Sequence, residues 1–314
     1  MNTNEKVKRI AIAGAGIMGS SIAQIFAQNG VSVILFDIET GFLDRSRALI
    51  DLNQKAMVLA GELTEETSRN LRSRISHTLD LSAFCEADFV IEAIVEQLDA
   101  KHALWAKISE LVSDDAVLTS NTSGLSISKI AEAVKNPERF CGMHWINPPH
   151  IIPLVEVICG EKTNSETADT VLRIAASVGK KPILVKKDAP GFALNRIQFA
   201  VLREAMHIVE SGIADMEDVD KVLKYGLGMR YACLGPFEVA DLGGLDTFYR
   251  ISQYLFKDLS DAKAVPDMLK DLTEEGALGV KSGRGFYDYS GGRGAEVISK
   301  RDADFIKIAN MLYK

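Results

Sequence analysis

The sequence has few cysteines and no excess of basic residues, and both absences narrow the kinds of protein that it can encode. Its four cysteines are scattered without a Cys-x-x-Cys pair, which favours reduced thiols in the cytoplasm and argues against a zinc site. The net charge of −7 argues against a general nucleic-acid-binding protein, which needs a basic face. The net charge does not exclude a local basic pocket that binds a phosphate.

Long apolar segments are also missing. No stretch approaches the roughly 18 consecutive apolar residues that a membrane-spanning helix needs. The first ten residues are polar and charged and contain no apolar signal-peptide core. We therefore expect a cytoplasmic protein with no membrane partner. Its 314 residues, of which 47% are hydrophobic and 25% charged, suffice for one large or two medium globular domains.

The spacing of apolar residues predicts a parallel sheet in the first part of the chain. An apolar run at 9–13, helical spacing at 17–28 and a second run at 31–37 together make a βαβ unit. Strand-like runs then alternate with helical patterns as far as residue 185, which is typical of a doubly wound α/β domain. The later strands are predicted at 88–91, 116–119, 140–143, 154–158 and 182–185, and the helices at 99–112, 126–135 and 165–178.

Two regions depart from this alternation. Residues 40–76 are charged and helical in period, with a break at Ala60-Gly61, so we predict two antiparallel helices inserted at the edge of the sheet. After Lys187 the strand signals fade, and Pro190-Gly191 indicates a hinge. The predicted fold is a Rossmann-like domain over residues 1–187 with an inserted helical hairpin, followed by an all-helical domain over residues 188–314. The helical patterns of the second domain lie at 192–211, 216–224, 237–252, 265–275 and 302–312.

The first turn of the chain carries a dinucleotide-binding pattern. Gly14, Gly16 and Gly19 form GxGxxG between a predicted strand and a predicted helix, where glycines allow a tight turn and a close approach to a pyrophosphate. The free N–H groups of the helix N-terminus favour phosphates. Asp37 ends the second strand, where a carboxylate binds both ribose hydroxyls and repels a 2′-phosphate. The context predicts NAD as the cofactor. The alternative is a structural glycine turn followed by an exposed aspartate.

Five further stretches are too specific for composition to explain. With the glycine turn, they resemble the 3-hydroxyacyl-CoA dehydrogenase family, in the family's order from residue 9 to about residue 290. The resemblance implies a helical C-terminal domain that forms a homodimer interface, an active site between the two domains, and a role in fatty acid metabolism. The stretches are IEAIVE (91–96), SNTSG (120–124), GMHWINPPHIIPLVEVICG (142–160), DAPGFALNR (188–196) and KSGRGFYDY (281–289).

The resemblance also implies roles for individual residues. His144 matches the catalytic histidine of the family, and Glu156 matches the glutamate that orients it. Ser123 and Asn195 match two polar residues near the reacting oxygen. Family members contact NAD at the positions of Met18, Glu96, Lys101, Asn147 and Lys281.

The chemistry of an alcohol dehydrogenase agrees with these roles. Oxidation of a secondary alcohol removes a hydride, which a nicotinamide takes, and a proton, which a side chain must take. Histidine suits the second task because its unperturbed pKa of about 6.5 lies near neutral pH. Glu156 lies in an apolar run and needs a partner, which an antiparallel or bent return of the chain would make His144. The alternative for His144 is a core histidine bonded to a backbone carbonyl.

Three other polar residues have both a functional and a structural interpretation. Ser123 holds the substrate oxygen or the nicotinamide amide, or it caps the helix that starts at Ser126. Asn195 polarises a carbonyl, or it makes an N-terminal capping contact in the long helix. His150 follows a rigid Pro-Pro turn and touches the substrate, or it plays no part in the site.

Three features depart from the pattern of the acyl-CoA enzymes. Those enzymes commonly place lysines along the inserted hairpin, whereas Lys55 is the only basic residue of 51–61. Gly124 replaces a serine, and HWINPP replaces His-Phe-Phe-Asn-Pro. The segment 225–236 is longer than the usual turn and resembles gulonate and carnitine dehydrogenases and a pyridine-ring aldehyde dehydrogenase of vitamin B6 breakdown. Five arginines of the insertion could compensate for the missing lysines, namely Arg45, Arg47, Arg69, Arg72 and Arg74.

Three functions therefore stand as hypotheses, and the first two take a small-molecule substrate. The motif set favours a 3-hydroxyacyl-CoA dehydrogenase of the L-3-hydroxybutyryl-CoA type. The departures favour an NAD dehydrogenase of a small non-CoA 3-hydroxy acid or carboxylated alcohol or aldehyde, in which Arg230 pairs with the substrate carboxylate or is simply a surface residue. The third hypothesis is a non-catalytic protein such as the lens crystallin of the family, and the intact His144 and Glu156 argue against it.

Overall fold

The computed structural model describes residue 7, residues 9–59, residue 61 and residues 63–313. Within it the chain divides into two compact units, residues 1–193 and residues 194–314. The division falls later than residue 187 because the intervening segment bonds within unit one, where Asp188 accepts from Ser126 and the Ala193 N–H donates to Glu156. The polar N-terminal residues 1–6 and the predicted helix break at Ala60 lie outside the described residues.

Unit one is built on an eight-stranded sheet with the strand order β3-β2-β1-β4-β5-β6-β7-β8. Strands β1 to β6 are mutually parallel, β7 is antiparallel to β6, and β8 is parallel to β7. The parallel strands therefore end at one edge of the sheet, where doubly wound folds bind ligands. The strands are β1 Arg9–Ala13, β2 Ser32–Phe36, β3 Ile75–Thr78, β4 Phe89–Glu92, β5 Val117–Ser120, β6 Phe140–Trp145, β7 Leu154–Ile158 and β8 Lys181–Val185.

Apolar clusters cover both faces of this sheet. Successive side chains of a strand point to opposite faces, so Ile10 and Ile12 pack with Phe26 in one cluster and Ala11 and Ala13 pack in the other. Burial on both faces explains why these strands read as continuous apolar runs. The helices of unit one are α1 Ile17–Gln28, α2 Thr40–Leu59, α3 Glu65–Ser73, α4 Leu98–Leu111, α5 Ile127–Ile130 and α6 Ser165–Ser177, with 3-10 turns at Leu81–Glu86, Ala131–Ala133 and Pro137–Arg139.

The predicted Rossmann-like unit with an inserted helical hairpin is confirmed, with one correction in the insertion. The helical prediction over 40–76 overlaps the first two residues of strand β3, Ile75–Thr78, which pairs with β2. This edge strand has one buried residue, Ile75, and three polar or half-buried ones, so its sequence carries almost no strand signal.

Unit two is all-helical, as predicted. The predicted helix at 237–252 is two helices, because Gly244 interrupts it with a φ of +88° that other residues rarely adopt. None of the helices that the structure describes is long and apolar enough to cross a membrane. The helices are α7 Leu194–Glu210, α8 Met216–Lys221, α9 Gly228–Tyr231, α10 Pro236–Gly243, α11 Leu245–Leu255, α12 Asp267–Glu274 and α13 Arg293–Leu312, and a π-helical segment, Val222–Leu227, joins α8 to α9.

Candidate active site

The glycine turn between β1 and α1 fits a dinucleotide. A Cβ on Gly14 would lie 2.5 Å from the Ala93 carbonyl oxygen, and a Cβ on Gly19 would lie 1.8 Å from the Gly14 carbonyl oxygen, so both positions require glycine. Gly16 differs, because a Cβ there would meet nothing within 4 Å. The turn thus leaves open space at the N-terminus of α1, where free N–H groups and the helix dipole favour a pyrophosphate.

Asp37 follows β2 at the same edge of the sheet. Its Oδ2 accepts the Ala15 N–H at 2.7 Å, and its Oδ1 accepts the Ile38 N–H at 2.7 Å. The half-buried carboxylate is therefore fixed beside the glycine turn, and each oxygen keeps capacity for a further hydrogen bond. A ribose diol would find its acceptor here. The residues of this unit thus fit NAD, with Met18 half-buried in the first turn of α1.

His144 and Glu156 stand directly opposite each other in the antiparallel ladder of β6 and β7. The distance between His144 Nδ1 and Glu156 Oε2 is 2.9 Å, and the two side chains are 6% and 0% exposed. Because a carboxylate oxygen only accepts, Nδ1 carries the proton of this bond, and in the neutral form of the ring Nε2 holds the lone pair. The return of the chain is therefore antiparallel, and the histidine is bonded to a carboxylate and not to a backbone carbonyl.

The turn before α7 contacts both His144 and Glu156. The N–H of Ala193 donates to the second carboxylate oxygen of Glu156, Oε1, at 3.0 Å. The buried Phe192 ring packs against the imidazole of His144, with 5.7 Å between the ring centroids and 61° between the planes. Glu156 thus has a partner at each oxygen, which offsets the cost of burying its charge.

A second buried pair lies behind the cofactor edge. Lys101 and Glu92 are both fully buried, with 2.6 Å between Nζ and Oε1, and Glu92 also accepts from the Ser120 hydroxyl and the Ile94 N–H. Lys101 Nζ lies 3.3 Å from Glu96 Oε2. The charge of Lys101 therefore acts on the site through Glu96. A direct contact of its side chain with NAD, which the resemblance implies, would require this pair to open.

Glu96 and the loop that carries Ser123 are joined by hydrogen bonds. Glu96 accepts from the Thr122 hydroxyl and from the N–H groups of Ser123, at 2.9 Å, and Gly124, at 3.3 Å. Burial opposes the ionisation of Glu96, but the bond from Thr122 and the Lys101 ammonium outweigh it and hold the pKa of Glu96 below its ordinary value. Ser123 is exposed on this loop and does not cap the following helix, because Ser126 does so.

The loop between β6 and β7 carries the exposed residues Asn147 and His150. A buried lysine underlies this loop. Lys180 Nζ donates to the carbonyl oxygen of Ile152 at 2.9 Å and to that of Pro149. The two hydrogen bonds from Lys180 therefore fix the backbone of the loop that carries Asn147 and His150.

Three predicted site residues lie in unit two. Asn195 is in the first turn of α7, Arg230 is exposed on the short helix α9, and Lys281 is exposed in the turn region before α13.

The structure adds residues to the site that motif and pattern did not single out. Asn121 accepts the N–H of Trp145 at 2.8 Å and so fixes the end of β6 next to His144. Thr122 and Glu92 hold Glu96 and Lys101, respectively. Asn121 and Thr122 lie inside the SNTSG stretch, and Glu92 inside IEAIVE, so the two stretches marked the place but not the contacts.

Two family models together match most of the chain. Residues 9–189 match the model of the NAD binding domain of 3-hydroxyacyl-CoA dehydrogenases, and residues 191–289 match the model of their C-terminal domain. The 3-hydroxybutyryl-CoA dehydrogenase of Clostridioides difficile is 36% identical over 283 residues, which are 90% of this chain and 99% of that protein.

A second relative is named for a different substrate. The 5-formyl-3-hydroxy-2-methylpyridine 4-carboxylate 5-dehydrogenase of Mesorhizobium japonicum is 36% identical over 285 residues, which are 90% of this chain and 91% of that protein. A crystal structure of an enzyme of this name, described as an NAD⁺-dependent dismutase, matches with a TM-score of 0.90 and 34% identity over 98% of this chain and 99% of that one.

Cofactor site and comparisons together decide among the three hypotheses at the level of the family. The family models leave residue 190 alone between them and run from residue 9 to residue 289. The non-catalytic hypothesis is thereby set aside. The chain is an NAD-dependent dehydrogenase that acts on a CH–OH group, and it belongs to the 3-hydroxyacyl-CoA dehydrogenase family.

Proposed function

We propose that His144 is the general acid and base of this dehydrogenase and that Glu156 orients it. In the oxidative direction His144 Nε2 removes the hydroxyl proton of the alcohol, and in the reductive direction it returns the proton to the carbonyl oxygen. NAD, when bound at the glycine turn, supplies the hydride chemistry. The contact that supports this proposal is the buried bond between His144 Nδ1 and Glu156 Oε2, because it fixes the tautomer and stabilises the imidazolium that forms.

The remaining polar residues are proposed to hold the reacting oxygen and the cofactor. Ser123 and Asn195 donate hydrogen bonds to the oxygen that gains charge in the reaction. Gly14, Gly16, Gly19 and Asp37 hold the pyrophosphate and the ribose. Met18, Glu96, Asn147 and Lys281 make further contacts with NAD, and Lys101 contributes by holding Glu96.

We propose further that the substrate is a small carboxylated alcohol or aldehyde without CoA. The arginines of the hairpin, which could have replaced the missing lysines, are mostly engaged locally. Arg47 pairs with Asp44 at 2.8 Å, and Arg72 pairs with Asp51 at 3.1 Å. Arg74 donates to the Asn70 carbonyl oxygen, Arg45 lies over the Phe42 ring, and Arg69 is exposed. Four of the five arginines are thus engaged within the hairpin, which favours a substrate without CoA phosphates.

Structural similarity supports the same choice. The pyridine-carboxylate dehydrogenase structure matches with a TM-score of 0.90, whereas the 3-hydroxybutyryl-CoA dehydrogenase structure from Escherichia coli matches with a TM-score of 0.78. Arg230, exposed on α9, is the proposed partner of the substrate carboxylate, and His150 is a further candidate contact.

The second candidate is the interconversion of L-3-hydroxybutyryl-CoA and its 3-keto form, with a place in fatty acid metabolism. It is favoured by the family models and by the relative from Clostridioides difficile. The proton chemistry of His144 and Glu156 is the same for both candidates.

A substrate comparison separates the two candidates. Purified protein is assayed with NADH against acetoacetyl-CoA and against acetoacetate as a free 3-keto acid. We expect kcat/KM to be at least about tenfold higher for the free acid, a difference of about 1.4 kcal/mol in transition-state binding. Arg230→Met should remove this preference, whereas Arg293→Met, at another exposed arginine of unit two, should keep it. A higher kcat/KM for acetoacetyl-CoA selects the second candidate.

Removal of His144 tests the proton chemistry independently of the substrate. His144→Ala should lower kcat by about 10²–10⁴-fold, since the general acid and base is lost. The Kd of NADH should stay within about twofold, because the cofactor contacts lie elsewhere in the site. His207→Ala, on α7, is the control. Turnover retained by His144→Ala would remove His144 from its role.

We also propose that the active form is a homodimer formed through unit two. Helix α7 has 17 residues, of which Met206 is buried, while Ile197 and Val201, one turn apart, are 62% and 38% exposed, and Phe199 between them is 60% exposed. A second copy of the chain would cover this apolar surface.

A further inference from the structure

Phe192 has an unusual backbone for its residue type. Its φ is +52°, and it is the one residue other than glycine with a positive φ in the described part of the chain. Side chains with a Cβ rarely adopt this conformation, and where it occurs it is held by its surroundings. Here the side chain is 2% exposed, so the backbone turns an aromatic ring into the interior of unit one.

The position of that ring relates it to the proposed catalytic pair. The ring meets the imidazole of His144 edge-on, and the next peptide N–H, that of Ala193, donates to Glu156. The same short turn therefore contacts both members of the pair. The ring contact limits how the imidazole can rotate, and the hydrogen bond fixes the carboxylate to which the imidazole is bonded.

The turn is itself anchored. The Phe192 N–H donates to the carbonyl oxygen of Ala189 at 2.9 Å. Before it, Asp188 Oδ2 accepts from the Ser126 hydroxyl at 2.6 Å and from the Ser128 N–H at 2.8 Å. These bonds hold the chain at the start of the turn and offset the cost of the positive φ.

We propose that Phe192 is a positioning residue, which keeps the His144 imidazole aligned with Glu156 so that Nε2 faces the substrate. The proposal rests on the proposed acid–base role of His144. A Leu at this position would keep the site apolar but would lose the ring edge that orients the imidazole. The bond between His144 and Glu156 would then be looser, and the imidazolium would be stabilised less.

The test compares Phe192→Leu with Phe140→Leu. Phe140 is also a fully buried phenylalanine of the same apolar cluster, and its ring packs edge-on against Trp105 at 5.0 Å, so both substitutions remove one aromatic pair from one core. Phe192→Met, whose unbranched side chain adapts to irregular spaces, is the second variant in case Leu prevents folding. For each variant kcat, the Kd of NADH and the pH profile of kcat/KM for alcohol oxidation are measured.

We expect the Phe192 variants to lower kcat at least about tenfold more than Phe140→Leu, with the Kd of NADH within about twofold of the native value. The acid limb of the pH profile should move to lower pH by about 0.5 or more, because a less stabilised imidazolium loses its proton at lower pH. Glu156 is the charged group in contact with His144 among the described residues of unit one, so the limb reports on this bond.

Phe192 variants that behave like Phe140→Leu in kcat and in the position of the limb would overturn the proposal. The comparison with His144→Ala distinguishes the two levels of inference. If His144→Ala retains turnover, the acid–base role itself fails. If His144→Ala is inactive and the Phe192 variants match the control, only the positioning role fails.

Discussion

Gly16 shows how a cofactor site can be recognised at a single residue. Its φ of −71° is open to any amino acid, and a Cβ would meet no protein atom within 4 Å. The fold therefore has no need of glycine at this position, in contrast to Gly14 and Gly19. In the proposed cofactor site the need comes from the ligand, because the backbone there would approach a pyrophosphate closely.

We accordingly predict that Gly16→Ala weakens NADH binding by at least about tenfold, through a clash of Cβ with the pyrophosphate, a cost of about 1.4 kcal/mol. The melting temperature without NADH should change little, because the methyl group enters open space. Calorimetric titration with NADH and thermal unfolding of the free protein measure the two effects.

Gly226→Ala is the matched control for Gly16→Ala. A Cβ at Gly226 also meets nothing within 4 Å, but this residue lies in the π-helical segment of unit two. It should leave both quantities unchanged. Equal NADH affinity for the two variants would argue against the pyrophosphate position assigned to the glycine turn.

At the same scale, site residues could be recognised from the sequence where their type conflicts with their surroundings. Glu156 stood out as a carboxylate in an apolar run, and it lies opposite His144. Phe192 could not be found this way, because a phenylalanine in an apolar stretch is unremarkable and a positive φ leaves no trace in the sequence. Asn121 was likewise invisible, since its partner, the Trp145 N–H, comes beside it only through the pairing of β5 with β6.

At the scale of elements, Glu96 links the loop after β4 to the loop after β5. Its carboxylate accepts a hydrogen bond from the Ser123 N–H and forms an ion pair with Lys101 of α4. The pKa of Glu96 is lowered, so its ionised form stabilises the folded protein. This contribution is fully present above the ordinary glutamate pKa of about 4.3 and is lost as the pH falls through the lower folded value.

We predict that Glu96→Gln destabilises the protein at neutral pH by about 0.5–1 kcal/mol, a small value because Glu96 is partly exposed and its bonds are screened by solvent. The difference from the native protein should shrink as the pH falls below about 4, where the native carboxylate is also neutral. Urea unfolding at neutral and acidic pH measures it. Glu161→Gln, at an exposed glutamate, should show no such trend, and a constant difference for Glu96→Gln would contradict the linkage.

The elements themselves were predictable to the extent that apolar spacing marked them. The buried strands β1, β2, β4 and β7 have continuous apolar runs and were placed within a few residues. Strand β3 is polar and short, and its place is set by the ladder of β2, where the Val33 N–H donates to Arg74. Helix α13 begins at Arg293 instead of 302, because its first turns are polar and largely exposed and so show little apolar period.

At the scale of the whole molecule, unit two leaves many apolar side chains exposed. Helices α10 and α11 have no fully buried residue among those described, and Phe237 and Phe256 are 85% and 72% exposed. Scattered exposed apolar residues are ordinary, but a contiguous surface on one unit is typical of an association site. This supports the proposed homodimer.

We predict that the protein has twice the mass of one chain when measured by light scattering after size-exclusion chromatography. Phe199→Asp, which places a charge on the exposed face of α7, should yield single chains, because burying an unpaired carboxylate in the interface is costly. Leu59→Asp, at an exposed residue of α2 in unit one, should leave the mass unchanged. A native protein with the mass of a single chain would contradict the proposal.

The length of the chain allowed one large or two medium domains, and the loss of strand signals after Lys187 predicted a division there, whereas the two compact units divide after Ala193. The remaining difference arose because the last segment of unit one, from Asp188 to Ala193, has no strand or helix of its own. It belongs to unit one through bonds with Ser126 and Glu156, and such bonds have no local pattern.

The antiparallel pairing of β6 and β7 has a consequence for how such enzymes diversify. His144 and Glu156 sit on adjacent strands of one hairpin, so their mutual placement depends on the ladder and not on the loop that joins the strands. That loop presents Asn147 and His150 to the outside. Substitutions in the loop can therefore alter what Asn147 and His150 contact without moving the proposed proton-transfer pair, because the ladder holds that pair.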